Sequence, residues 1–171
     1  MKTLKKFIVI TERLSGVLGS IASCLVAIMI TLVGVEVFMR YVFDNPPLLA
    51  DEFAAYLLVA VSFFGISQAF LEGSHVKITF LSDKLSIEKA RWLRLFILVF
   101  SEIFLIIMVY SNYEYLSFSM MIDERSSSWV HFPLKYSQST ILIGFTLFAI
   151  VLLGHIAKLT LEIRNQDQST I

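Results

Sequence analysis

The sequence predicts an all-α integral membrane protein with four transmembrane helices. Three observations predict it: 57% of the 171 residues are hydrophobic against 16% charged, four long stretches are almost free of charge, and the basic residues gather on alternate connections. A soluble domain carries about 25% charged residues, so a bilayer is the solvent this composition suits. A helix rises about 1.5 Å per residue through a hydrocarbon core about 30 Å thick, and roughly 20 apolar residues make one crossing. Residues 1–171 read as a single membrane domain, with helices expected at about 14–39, 51–71, 92–113 and 134–158.

The first helix rests on Leu14 to Val35, which holds no charge. Within it Ser15, Gly19, Ser23, Ala27 and Thr31 recur every four residues, a spacing of small side chains that lets helix backbones approach closely. The stripe serves packing within this chain or against another subunit. Glu36 and Arg40 follow one turn apart, an opposite-charge pair at a mutually supporting spacing, and are read as a structural pair near the membrane edge rather than a substrate site. Basic residues ahead of Ile21-Ala22-Ser23-Cys24 resemble a lipoprotein cleavage site. The apolar run continues for eleven residues beyond Cys24, however, where a lipoprotein would begin a polar tether. Cys24 is read as a packing residue.

The second helix rests on Phe53 to Leu71, opened by the acidic Asp51 and Glu52, with Gly65 and Ala69 repeating the small-residue spacing. After it, Val76, Ile78, Phe80, Leu81 and Leu85 alternate loosely with Lys77, Asp83 and Lys84, which suits a short segment at about 76–85 lying in the membrane interface. Ser86 is then an expected N-cap with Glu88 in the first turn. Lys89, Arg91, Trp92 and Arg94 anchor the third helix. That helix, Leu95 to Tyr113, contains one charge, Glu102. An ionised carboxylate there costs about 2.5 to 3.5 kcal/mol on insertion scales, so Glu102 is expected to be protonated, water-accessible or paired, within this chain or with another subunit. The fourth helix, Tyr136 to Ala157, carries only the titratable His155 and begins near Pro133, where proline suits a first turn.

Orientation follows from the basic residues beside these spans. Eleven lie before the first, between the second and third, and after the fourth, whereas the other two connections hold only Arg40, Arg125 and Lys135. Both termini are therefore expected on the cytoplasmic side. Fourteen basic and fourteen acidic side chains cancel, so no clustered basic surface suits nucleic acid. His75, His131 and His155 fall at different depths, leaving no facing pair for a haem. With one cysteine, no glycine-rich phosphate loop and no histidine–carboxylate cluster at metal spacing, neither a cofactor nor catalysis is expected. The residues alone leave open a small transporter subunit, a membrane anchor for a respiratory enzyme, and a self-sufficient small transporter or channel.

Several motifs narrow the choice. Arg40-Tyr41-Val42-Phe43, the Pro46-Pro47 turn, Asp51-Glu52, Gly65, the run His75-Val76-Lys77-Ile78-Thr79-Phe80-Leu81, then Pro133 and Gly144, taken in order, resemble the small permease subunit of tripartite ATP-independent periplasmic (TRAP) transporters. The chain departs from the usual pattern at Leu49-Ala50, where a tryptophan is common, and at Thr79, where an aspartate is common. The resemblance, running from about Arg13 to Lys158, implies a secondary transporter of a bacterial or archaeal inner membrane, driven by a sodium gradient and fed small organic acids by a periplasmic binding protein. It also implies that a separate, larger membrane subunit carries substrate while the small subunit braces its scaffold. With that partner in view, Glu102 is a candidate subunit contact. The outer acidic residues Asp51, Glu52, Asp123 and Glu124 are candidates for docking the binding protein through a negative surface.

Overall fold

The computed structural model describes residues 2–45, 48–72, 87–128 and 130–167. The interfacial segment expected at 76–85, the Pro46-Pro47 turn, the cap at Ser86 and the side chain of Glu88 lie outside the described residues. Four helices make up most of the rest: α1 (Lys2–Phe43), α2 (Ala50–Leu71), α3 (Ile87–Met121) and α4 (Lys135–Asp167). All four are long and apolar enough to cross a membrane. At about 1.5 Å per residue α2 measures roughly 33 Å, one hydrocarbon thickness, while α1 reaches roughly 63 Å and α3 roughly 52 Å. The longer helices run past their apolar windows because a helix, once nucleated, adds one hydrogen bond for each further residue.

α1 packs on α2 and α4, α2 also packs on α4, and α3 rests chiefly on α4. α4 is thus the hub, and its Val151 and Leu152 are each only 1% exposed. Leu98 and Leu105 of α3 meet Leu152 and Leu159 of α4, with Phe70, Phe145 and Phe148 packed around them. Lipid tails are as apolar as leucine, so this burial gains little from the hydrophobic effect; fit and hydrogen bonding hold membrane helices together.

Fit is closest at three glycines, one of them Gly144 of α4, where a Cβ would collide with Phe63 of α2. A Cβ on Gly19 of α1 would collide with the Gln68 side chain of α2, and one on Gly154 of α4 would collide with Thr11 of α1. At Gly65 a Cβ would lie 3.7 Å from Ala22 Cβ, an ordinary contact. The face of α1 turned inward carries Thr11, Ser15, Leu18, Ala22 and, three to four turns on, Glu36. Ser23, Ala27 and Thr31 are exposed. Successive residues turn about 100°, so a repeat of four drifts about 40° per step. The stripe of small residues therefore starts in the core at Ser15 and Gly19 and winds out onto the surface.

Candidate functional site

The polar groups inside this frame act mainly as fastenings. At the first connection, α1 ends as Asp44 enters the left-handed region (φ 50), which aspartate tolerates better than most residues. Leu48 is also left-handed (φ 57), and α2 then starts with Leu49 at its cap position, offering no capping side chain of its own. The acceptor comes from α1. Glu36, 4% exposed, takes hydrogen bonds through Oε2 from the backbone N–H groups of Leu49 (3.0 Å) and Ala50 (2.6 Å). Its Oε1 receives Arg40 Nη2 at 3.1 Å. A carboxylate at a helix start satisfies otherwise unpaired donors and sits at the positive end of the helix dipole. Glu36 and Arg40 are thus parts of a clasp that fixes where α2 begins.

The second connection is fastened to the same end. Asp123 N–H bonds to Met120 O (3.4 Å) and Glu124 N–H to Ser119 O (3.0 Å), with Asp123 left-handed (φ 46); this pair of bonds closes the C-terminus of α3. The loop then doubles back, with Ser126 N–H on Phe132 O (2.9 Å) and Leu134 N–H on Glu124 O (3.1 Å). Phe132 lodges against Phe53 and Tyr56 of α2 and Tyr136 of α4, at centroid separations of 5.5, 5.1 and 5.6 Å. Ser128 donates to Glu52 Oε2, and Tyr56 donates to Glu52 Oε1 at 2.7 Å.

Three of the four acidic docking candidates are therefore engaged. Glu52 holds the loop, Glu124 accepts from Gln138 Nε2 (3.2 Å), and Asp123 pairs with Arg125 at 2.8 Å. The Arg125 hydrogen bond, reinforced by its charge, holds the Asp123 carboxyl below the usual aspartate range. Asp51 is exposed, and it alone of the four has no such bond among the described residues.

At the opposite end Lys158 of α4 pairs with Glu12 of α1 at 2.7 Å. Arg94 of α3 directs Nη2 toward His155 Nε2 of α4 at 3.4 Å, and the imidazole meets the Phe70 ring of α2 edge-on at 5.2 Å. Glu102 lies between the two ends. It is 6% exposed, shares the face of α3 that carries Leu98 and Leu105, and makes no hydrogen bond or ion pair among the described residues; its Oε2 is fully enclosed. Its carboxyl is turned into this chain's own α3–α4 seam. Gly65 and Ala69 are half-buried on α2.

Sequence reasoning missed the backbone half of the Glu36 clasp, the Phe132 plug and the Glu12–Lys158 latch. Only the last had a usable signal, an acid and a base at similar depth beside the first and fourth spans.

Together these features define a class: a multi-pass, all-helical membrane protein whose polar residues lock helix ends together. Among the described residues no three histidine, cysteine or acidic side chains assemble into a metal-binding group. No curated protein matches the chain. The family model for tripartite ATP-independent periplasmic transporters, DctQ component, matches residues 11–162. The chain belongs to that family, and is a small membrane subunit of a TRAP transporter.

Proposed function

We propose that this subunit braces the fixed scaffold of a larger transport subunit during sodium-driven uptake of small organic acids brought by a periplasmic binding protein. The observation that carries the reading is the continuity of its spans. Transport sites form where helices break and turn backbone groups toward the substrate, whereas α1, α2, α3 and α4 run unbroken. A brace must also resist deformation, and ties at both ends suit that task.

The inner membrane of a bacterium or archaeon, with both termini cytoplasmic, fits the eleven-to-three division of basic residues. It also fits the structure's grouping of the two loop fastenings at one end. For subunit contact, the inward turn of Glu102 favours the exposed part of the small-residue stripe, Ser23 and Ala27, over the carboxylate. For docking the binding protein, Asp51 is the freest of the four candidates among the described residues, with Asp123, Glu124 and Glu52 adding charge from fixed positions.

Purification of the tagged chain from its native membrane tests the assignment. Recovery with a sequenced TRAP large subunit in constant ratio is expected. Recovery with a haem-bearing respiratory enzyme, or with no large subunit under mild detergent, would overturn it.

A further inference from the structure

We propose that the end of α3 nearest Lys158 is a binding site for the phosphate of an anionic phospholipid, built on Arg91 and Arg94. The two arginines are three residues apart, so they share one flank of the helix, and like charges at that spacing repel. Among the described residues neither meets a carboxylate, and Arg94 has only the long 3.4 Å approach to the His155 ring. Lys89 next to them has no ion pair among the described residues either. An anion between the guanidinium groups would relieve the repulsion, and their forked donors match phosphate oxygens in pairs.

Position selects a lipid as the source of that phosphate. From Lys89 to Arg94 the helix climbs about 7.5 Å, comparable with the headgroup layer on one side of a bilayer. Trp92, 56% exposed at the same height, is of the type that settles at that layer. Immediately beyond, Phe96 and Phe100 are exposed and would lie along acyl chains. Because α3 rests chiefly on α4, its other flank is open to lipid. Basic pockets between helices at a membrane surface recognise anionic headgroups. Lys158 extends the positive end of this site along α4, although it is already paired with Glu12.

The test reconstitutes the full chain in nanodiscs of phosphatidylcholine with a rising share of phosphatidylglycerol, and counts retained lipids by native mass spectrometry. Preferential retention of phosphatidylglycerol is expected, with no competition from inorganic phosphate. Arg91→Gln with Arg94→Gln should weaken it about a hundredfold, the loss for two charge-assisted contacts at about tenfold each. Lys5→Gln with Lys6→Gln removes the same charge elsewhere and should leave it unchanged. Equal retention of the two lipids by the natural chain, equal loss in both double variants, or displacement by inorganic phosphate would each overturn the proposal. Should the arginine double variant fail to fold, Arg91→Lys with Arg94→Lys keeps the charge and removes the forks. Undiminished retention by that variant would overturn it too.

Discussion

Glu36 ties two helices together, because one buried carboxylate serves an arginine and two backbone donors at once. Glu36→Gln keeps the shape and loses the charge. We expect it to destabilise the chain by about 2 kcal/mol, the scale of a hydrogen bond to an ionised group, measured by unfolding in detergent. Exchanging the pair, Glu36→Arg with Arg40→Glu, separates a simple ion pair from a clasp. An ion pair would be rescued by the exchange, but an arginine at position 36 cannot accept from the N–H groups of Leu49 and Ala50. The exchanged variant is therefore expected to remain as unstable as Glu36→Arg alone.

At the other connection, Asp123 has its carboxyl held low by Arg125. A lowered folded value means that its contribution is present above the ordinary aspartate range of about 3.9 and fades as pH falls through the folded value. Arg125→Gln removes the main cause of that lowering and should largely abolish the pH-dependent protection, read by the amide exchange of Asp123 and Glu124.

Helix packing shows which parts of the sequence could be read in advance. The spans were legible because about 20 uncharged residues in lipid have no conformation but helix that satisfies the backbone. The limits of the helices were less so: α1 starts at Lys2 and α3 ends at Met121, where polar residues continue a helix that no hydropathy window contains. The small-residue stripe shows a third limit. Its spacing was visible, but the 40° drift per step places Ser15 and Gly19 in the core and Ser23 and Ala27 outside, and only a partner helix decides which segment is covered. The backbone half of the Glu36 clasp was not legible, since main-chain donors thirteen and fourteen residues away leave no pattern in side chains. Gly19→Leu should force α1 from α2 at Gln68 and cost about 1–3 kcal/mol, the usual penalty of overpacking. Gly65→Ala should fall within about 0.5 kcal/mol of the natural chain. Thermal unfolding of the two variants in one detergent checks both.

As a whole, the molecule is a frame tied at both ends, with two connections fastened on one side and the Glu12–Lys158 pair on the other. Single cysteines in a Cys24→Ser background test how that frame sits in the membrane. Asn45→Cys and Ser127→Cys should react with an impermeant thiol reagent on intact cells, and Gln166→Cys should be protected; the reverse pattern would invert the frame. The functional claim is that such a frame moves nothing itself but is needed by the subunit that does. Liposomes containing this chain, the large subunit or both, supplied with binding protein, substrate and an inward sodium gradient, test it most directly. No uptake is expected with this chain alone, little with the large subunit alone, and full uptake only with both. Full-rate uptake by the large subunit alone, or any sodium-dependent uptake by this chain alone, would contradict it.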